Sequence, residues 1–456
     1  MTDIACIVLA AGMGTRMCSQ LPKVLHKAAG RSLVAHVVTA ASDLGASRIV
    51  VVVGDGADAI QQEVQTCSPN ADIVVQSPAC GTGDAVRKAL PALDGFIGTV
   101  LVLFAADPLM TQESLGRMTA AIAGGAKLAV LGFNAQDPTG YGRLLTQGSD
   151  QVAAIREHAD ASDDELAITL CNSGVMAFDA QLLRDLLPKI GNDNAKGEYY
   201  LTDIVGIAND EGEKVALVTC PEREILGVNT RAELAVVEAE FQRRYRQKAM
   251  AEGATLIAPE TVFLSADTII GRDVVIEPNV VIGQGVSIGS GSVIRAFCHI
   301  ENAQIGESVE LGPYARIRPG TRLAHNVKVG NFVEVKNARL EEGAKVNHLS
   351  YVGDARVGEK ANVGAGTITC NYDGFFKHHT DIGSGAFIGS NSALVAPVKV
   401  GEGAYVGSGS VITRDVAAGA LAIARGSQET REGWATRYNE VQSARKQKSA
   451  AEKKKD

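Results

Sequence analysis

A glycine-rich turn follows the first apolar run of this 456-residue chain. It reads Leu9-Ala10-Ala11-Gly12-Met13-Gly14-Thr15-Arg16-Met17, with Pro22-Lys23-Val24-Leu25 close behind. Backbone N–H groups laid open by such a turn suit phosphate oxygens, and Arg16 and Lys23 add positive charge. It is not a dinucleotide fingerprint, because the third glycine is absent, and not a P-loop, because no Gly-Lys-Ser/Thr follows. A bare Gly-x-Gly is more often a plain strand-to-helix turn. The added Thr15-Arg16 and Pro22-Lys23 move the reading to phosphate. A second polar concentration lies far downstream: Arg316 to Gly320, Asn331 to Lys336, Asn347-His348-Leu349-Ser350-Tyr351, and Gly364 to Gly374.

The sequence Leu-x-Ala-Gly-x-Gly-Thr-Arg with a following Pro-Lys is similar to the signature of sugar-phosphate nucleotidyltransferases. The chain as a whole resembles the family of bifunctional N-acetylglucosamine-1-phosphate uridyltransferase/glucosamine-1-phosphate acetyltransferases. Further motifs stand in that family's order: Gln76, Gly81-Thr82, Gly140-Tyr141-Gly142-Arg143, Glu157-His158, Asn172-Ser173-Gly174 and Gly227-Val228-Asn229. The resemblance implies that Leu9, Ala10, Ala11, Gly12, Gly14 and Lys23 cradle UTP, that Gln76, Gly81 and Thr82 hold the uracil, and that Gly142, Glu157 and Asn172 hold the amino sugar. Asn229 would help to ligate Mg²⁺. Attack of a sugar-1-phosphate oxygen on the α-phosphorus of UTP needs alignment and countercharge, for which Arg16, Lys23 and Mg²⁺ are the candidates.

At the metal position the chain departs from the family. The family pattern is aromatic, Gly or Ala, Asp, any residue, Pro, Leu; here Phe104-Ala105-Ala106-Asp107-Pro108-Leu109 puts the aspartate one place late. On a strand, such a shift turns a side chain to the other face. A bulge that restores Asp107 is the preferred reading; a weakened uridyltransferase, or a metal held by Asn229 and phosphates, are the alternatives.

For the downstream group the resemblance implies acetyl transfer from acetyl-CoA to glucosamine-1-phosphate. An amine acceptor must lose a proton to attack a thioester, which calls for a base, and His348 is the candidate. By the same resemblance Arg318 and Lys336 hold the sugar phosphate and Tyr351 and Asn362 the acceptor sugar. Ala365, Asn371, Tyr372, Ser390, Ser408 and Arg425 bind acetyl-CoA, several through backbone atoms. Family members are homotrimers, so a homotrimer is expected. Two rivals stand beside this reading: a trimeric acetyltransferase or assembly protein with an impaired nucleotidyltransferase domain, and a different sugar nucleotidyltransferase using the repeat as a spacer.

The elements that must position these groups are of two kinds. Residues 1–228 alternate β-branched runs, such as Ile4–Leu9, Ile49–Val53, Ile73–Val75 and Val100–Phe104, with amphipathic stretches, the pattern of a Rossmann-like α/β nucleotidyltransferase domain with a mostly parallel sheet. Residues 229–253 read as a charged linker helix. From 254 a six-residue period places aliphatic residues at 270, 276, 282, 288 and 294, usually followed by glycine, and it resumes from Val329 to Val406. This hexapeptide repeat predicts a left-handed parallel β-helix over 254–440. The charge-dense stretch 441–456 is expected to be disordered.

Composition bounds the partners. A net charge of −8 argues against nucleic acid. No run approaches the ~18 apolar residues of a membrane span, so a cytoplasmic protein without membrane partners is expected. The eight cysteines lack a Cys-x-x-Cys pair and are read as reduced and mostly buried.

Overall fold

The computed structural model describes residues 3–452 apart from 13 and 195. The chain divides into two compact units, the first ending at Ser287 and the second beginning at Ile288.

In the first unit the long β-branched runs become the central path of a sheet. Its strands lie in the order Val215–Thr219, Leu128–Asn134, Leu170–Asp179, Thr99–Phe104, Ile4–Leu9, Arg48–Val53, Asp72–Val75. Leu170–Asp179 is antiparallel to its neighbours and the other pairings are parallel. Because side chains alternate across a strand, Cys6 and Val8 pack into one core while Ala5 and Ile7 pack into the other. Both faces are therefore covered, which is why these strands read as continuous apolar runs. The glycine-rich turn leaves the carboxyl end of Ile4–Leu9, the edge at which open α/β sheets gather ligands.

The linker forms a helix, Arg231–Ala251, opened by a capping box in which Thr230 and Glu233 exchange hydrogen bonds. Gln242, buried on this helix, donates to the Leu264 carbonyl and accepts from the Leu264 N–H, both at 2.8 Å. The helix is thus fastened to the first coils of the repeat, Thr255–Leu256 and Phe263–Leu264. The helix and these first coils lie together in the first compact unit.

The second unit is a stack of short parallel strands. One inner column runs Ile294, Leu311, Val329, Val346, Val363, Ile388, Val406, each paired with the next and all buried. A single coil has no core; the stack makes one. Corners are tight: a Cβ on Gly330 would fall 1.8 Å from the Asn347 carbonyl oxygen of the next coil. At another corner Phe297, Tyr314 and Phe332 all adopt positive φ and stack, with ring centroids 4.7 and 5.0 Å apart, as an exposed ridge.

Two expectations need correction. Within the tail expected to be disordered, residues 441–452 belong to a helix, Trp434–Glu452; its Ala, Arg, Lys, Gln and Glu residues are good helix formers, and no core is needed for a helix they favour. Residues 453–456 lie outside the described residues. Of the eight cysteines, Cys6, Cys171, Cys220 and Cys298 are buried; Cys18 and Cys67 are exposed because they sit just beyond a turn and at a helix end. Among the described residues no helix is long and apolar enough to cross a membrane.

Candidate functional site

A cavity of ≈ 320 Å³ opens at the carboxyl edge of the first unit's sheet. Of the residues expected around UTP, it is lined by Leu9, Ala10, Ala11, Gly12, Lys23, Gln76, Gly81 and Thr82, together with Phe104 and Ala106 of the displaced-aspartate motif and with Glu198 and Tyr200, which sequence reasoning did not single out. Gly14 serves a different end. At φ +65°, it lies where a Cβ would come within 2.4 Å of Lys23 Cβ, so its bareness lets the lysine segment pack on the turn. Arg16 sits on the short 3₁₀ turn Thr15–Met17, exposed, and Lys23 on the turn Lys23–Leu25. Burial lowers the Lys23 pKa, and the nearby Arg16 cation lowers it further, against the pull of Asp107.

Gln76 is buried, with its amide nitrogen committed to the Asp84 carboxylate at 2.9 Å and the Gly81 carbonyl at 3.0 Å. The amide nitrogen is thus engaged within the protein. Gly81, at φ +111°, has no room for a Cβ, which would meet the Tyr199 carbonyl oxygen at 2.5 Å. Thr82 accepts from the Leu201 N–H at 3.0 Å and begins the helix Thr82–Ala89. Gly142, Glu157 and Asn172 do not line this cavity but gather in a second group. Asn172 N–H donates to the Gly142 carbonyl at 2.8 Å, a Cβ on Gly142 would lie 3.5 Å from Glu157 Oε2, and Thr202 donates to Glu157 at 3.2 Å.

The aspartate question has a geometric answer that differs from the expected bulge. The strand ends at Phe104, and Asp107 N–H donates to the Phe104 carbonyl at 3.0 Å, closing a turn. Pro108 disfavours helical geometry at Asp107 and the strand has already stopped, so the alternation of strand faces no longer applies. Ala106 lines the cavity and Asp107 does not; its carboxyl lies against Gly227, where a Cβ would be 2.5 Å from Oδ1. Burial pushes the Asp107 carboxyl up to about 7, with the Lys23 ammonium opposing the shift. The Val228 N–H donates to the Ala106 carbonyl at 2.9 Å, and Lys23 Nζ donates to Asn229 Oδ1 at 3.1 Å. Segments 106–107 and 227–229 are therefore bound side by side, and they offer one carboxylate and one amide oxygen. That donor set fits Mg²⁺, which takes few protein ligands and fills its shell with phosphate and water. Among the described residues no group of three His, Cys, Asp or Glu gathers as a metal site.

In the second unit His348 lies on the strand Lys345–His348, directly across from Asn331 in the register. Its ring Nδ1 lies 2.6 Å from Asn331 Oδ1. With Nδ1–H donating to that oxygen, Nε2 carries the free lone pair, as a base requires. Arg318 pairs with Glu334 at 2.6 Å, and Lys336 stands beside Lys377, whose contact and charge, with lesser help from Arg318, lower the Lys336 pKa. Three cations thus converge where two were expected. Asp354, nearly buried, accepts from Asn337 and Asn371, each at 2.5 Å, and Asn371 also reaches the Tyr351 hydroxyl at 3.5 Å. Asn362 is half-buried on the strand Asn362–Val363. Tyr372 is exposed, at the start of the loop that carries Lys377.

The remaining acetyl-CoA candidates form a ladder. Gly366 N–H donates to His348 O (3.2 Å), Asn391 N–H to Ala365 O (2.7 Å), Gly409 N–H to Ser390 O (2.8 Å), and the Arg425 guanidinium to Ser408 O (2.6 Å). Each step joins one coil to the next along a single corner. Asn331 and Lys377 are the residues that sequence reasoning missed. Asn331 stood inside a quoted motif but is paired with His348 only by coil register, and Lys377 arrives on an inserted loop with no spacing signal.

Two family models match the chain. A MobA-like NTP transferase domain matches residues 6–189, and the bacterial transferase hexapeptide (six repeats) matches 267–302 and 379–414. The chain is 57% identical to the bifunctional protein GlmU of Azorhizobium caulinodans over 94% of this chain and 96% of that one. It is 56% identical to the bifunctional protein GlmU of a Bradyrhizobium strain, over 95% and 96%. With the bifunctional protein GlmU of Dinoroseobacter shibae the identity is 55%, over 98% and 100%.

Proposed function

We propose, from the premise that this chain belongs to the GlmU family of bifunctional proteins, a division of its two activities between the sites described. The protein is a bifunctional enzyme of UDP-N-acetylglucosamine synthesis. It acetylates glucosamine-1-phosphate with acetyl-CoA, then transfers UMP from UTP to N-acetylglucosamine-1-phosphate with release of pyrophosphate. Kinship with bifunctional relatives does not favour the silent assembly protein.

In the second unit the sugar phosphate sits among Arg318, Lys336 and Lys377, with Tyr351 and Asn362 on the sugar. His348 Nε2 takes a proton as the amine nitrogen bonds to the acetyl carbon; the C–S bond breaks and the thiolate leaves with that proton. Acetyl-CoA lies along the ladder from Ala365 to Arg425, with Asn371 and Tyr372 near its reacting end. From the His348 coil to the Arg425 coil is four strand spacings, roughly 19 Å at ~4.8 Å each, a track suited to a long pantetheine arm. That ladder, rising from a histidine whose Nδ1 is held by Asn331, is the observation that carries the reading.

In the first unit Gln76 receives a uracil N–H, Gly81 and Thr82 flank the base, and Gly142, Glu157 and Asn172 hold the amino sugar. The Gly12 and Gly14 turn, Arg16 and Lys23 align the phosphates and offset charge that builds on them. Asn229 and Asp107 are the residues that would hold Mg²⁺, which when bound supplies positive charge to the phosphate oxygens. A homotrimer belongs to this proposal, supported by the exposed ridge of Phe297, Tyr314 and Phe332, surface that an assembly would cover. So does a cytoplasmic location, supported by nucleotide and acetyl-CoA co-substrates.

The deciding experiment is His348→Ala. Acetyl transfer, followed by thiol release from acetyl-CoA, is expected to vanish while pyrophosphate release from UTP and N-acetylglucosamine-1-phosphate continues. Equal loss of both activities in a folded protein sinks the two-site division.

A further inference from the structure

We propose that Arg231 and His26 form a positioning clasp for uridylyl transfer, holding the turn that carries Arg16 and the turn that carries Lys23 at a fixed separation. The inference rests on the roles given above to Arg16 and Lys23.

The case begins with what the chain between those turns lacks. Residues 18–21 are exposed, and the hydrogen bond within this stretch is a local one, Leu21 N–H to Ser19 Oγ at 3.1 Å. Such a segment does not by itself fix the distance between its ends. Arg16 and Lys23 are cations on turns joined only by this exposed stretch, so their separation has to be set from outside it.

Arg231, the first residue of the helix Arg231–Ala251, spans the gap. Its Nε donates to the Met17 carbonyl at 3.3 Å, and one terminal nitrogen donates to His26 Nδ1 at 3.0 Å. Met17 closes the Arg16 turn; His26 caps the Lys23 turn, with its N–H donating to the Lys23 carbonyl at 3.2 Å. Both anchors are buried. Arginine can only donate, so His26 Nδ1 must be the unprotonated acceptor. Burial, then the Arg231 charge, holds the His26 pKa below its ordinary value and keeps that lone pair free.

The base of the clasp is itself fixed. The Glu233 carboxylate accepts from the N–H groups of Asn229 (2.7 Å) and Thr230 (2.8 Å), and Asn229 receives Lys23 Nζ. One helix start therefore reaches both turns at once. A guanidinium presents its donors in a rigid planar fork that can set two acceptors at a defined angle, whereas an ammonium cannot. Two of the Arg231 donors are engaged by a carbonyl and an imidazole of the protein itself, so the role proposed for it is placement.

The test uses the full-length enzyme with four variants: Arg231→Lys, which keeps charge but loses the fork; His26→Leu, which removes the acceptor; His26→Asn, which returns an oxygen near Nδ1; and Lys23→Ala. Both kcat and KM for UTP are measured, with acetyl transfer by the same preparation as a check on folding. The expected result is a fall in kcat of about tenfold or more for Arg231→Lys and His26→Leu, since sub-ångström misalignment is felt in the rate. KM should change much less, His26→Asn should recover most of the loss, and acetyl transfer should be unchanged. The clasp is overturned if Arg231→Lys and His26→Leu keep the wild-type kcat, if His26→Asn falls as far as His26→Leu, or if acetyl transfer falls in step. Lys23→Ala separates the two layers: full activity in that variant would defeat the assigned phosphate role, whereas loss there beside an active Arg231→Lys defeats the clasp alone.

Discussion

Replacing Gly14 with alanine puts a number on how tightly the phosphate turn is set. The new Cβ would stand 2.4 Å from Lys23 Cβ. Unbonded carbons rest about 3.5–4.0 Å apart, so the turn and the lysine must separate by roughly 1.1–1.6 Å. The φ of +65° adds a left-handed penalty of about 1–2 kcal/mol for alanine. Because Thr15 and Arg16 are exposed, the strain is relieved by moving the turn, not by unfolding the sheet. Displacement of about 1 Å at a catalytic group costs on the order of 10²-fold in rate, so kcat for pyrophosphate release should drop by about that factor. Acetyl transfer should be untouched. Gly116→Ala is the matched control: it lies on the helix Gln112–Ala123 with nothing within 4 Å of the added Cβ, and should raise stability by about 0.5–1 kcal/mol while leaving both rates alone. A Gly14→Ala enzyme with uridylyl-transfer kcat within about threefold of wild type would show that the close approach does not matter.

Three further outcomes follow from other parts of the molecule. Asn331→Ala should lower acetyl transfer about tenfold by freeing the His348 ring, with little change in the affinity for glucosamine-1-phosphate and none in uridylyl transfer; steady-state kinetics on both reactions decides it. His36 is buried against Phe241, and burial first holds its pKa down to about 4. Its neutral form is favoured in the folded state, so the associated stability is full above about 6.5 and is lost as the pH falls toward 4. The loss is up to about 3 kcal/mol, and melting curves of His36→Leu should show a flatter pH dependence over that window. Brief alkylation of the native protein should label exposed Cys18, while Cys6 and Cys220, whose thiols burial pushes up to about 12, stay unmodified by mass spectrometry.

Legibility in the sequence tracked the physical origin of each feature. The repeat was plain because every coil must turn an aliphatic residue inward, and Ile294, Val329, Val363 and Ile388 do so in register. The phosphate turn was legible because Thr15-Arg16 and Pro22-Lys23 accompany its glycines, of which Gly14 is held at φ +65°. Asp107 misled because its direction depends on where the strand stops, and that is decided by a turn ahead of Pro108, not by the alternation of the strand. Asn331 and Lys377 were harder to see: Asn331 meets His348 only through coil register, and Lys377 arrives on the inserted loop between Cys370 and Thr380, which carries no spacing signal. Arg231 was read as part of a linker, since a helix start says nothing about the loop it reaches.

The ladder from His348 to Arg425 is made almost entirely of main-chain atoms. A groove built that way is indifferent to the side chains that border it, so a systematic scan by alanine would pass over Ala365, Ser390 and Ser408 without registering them. What such a groove cannot survive is a change of length. Removing one residue from any coil between Ala365 and Arg425 would slide every later rung out of phase and cut the track in two, while leaving the aliphatic column within reach of a new register. Over evolutionary time this corner is therefore expected to drift freely in composition and to hold fast in spacing.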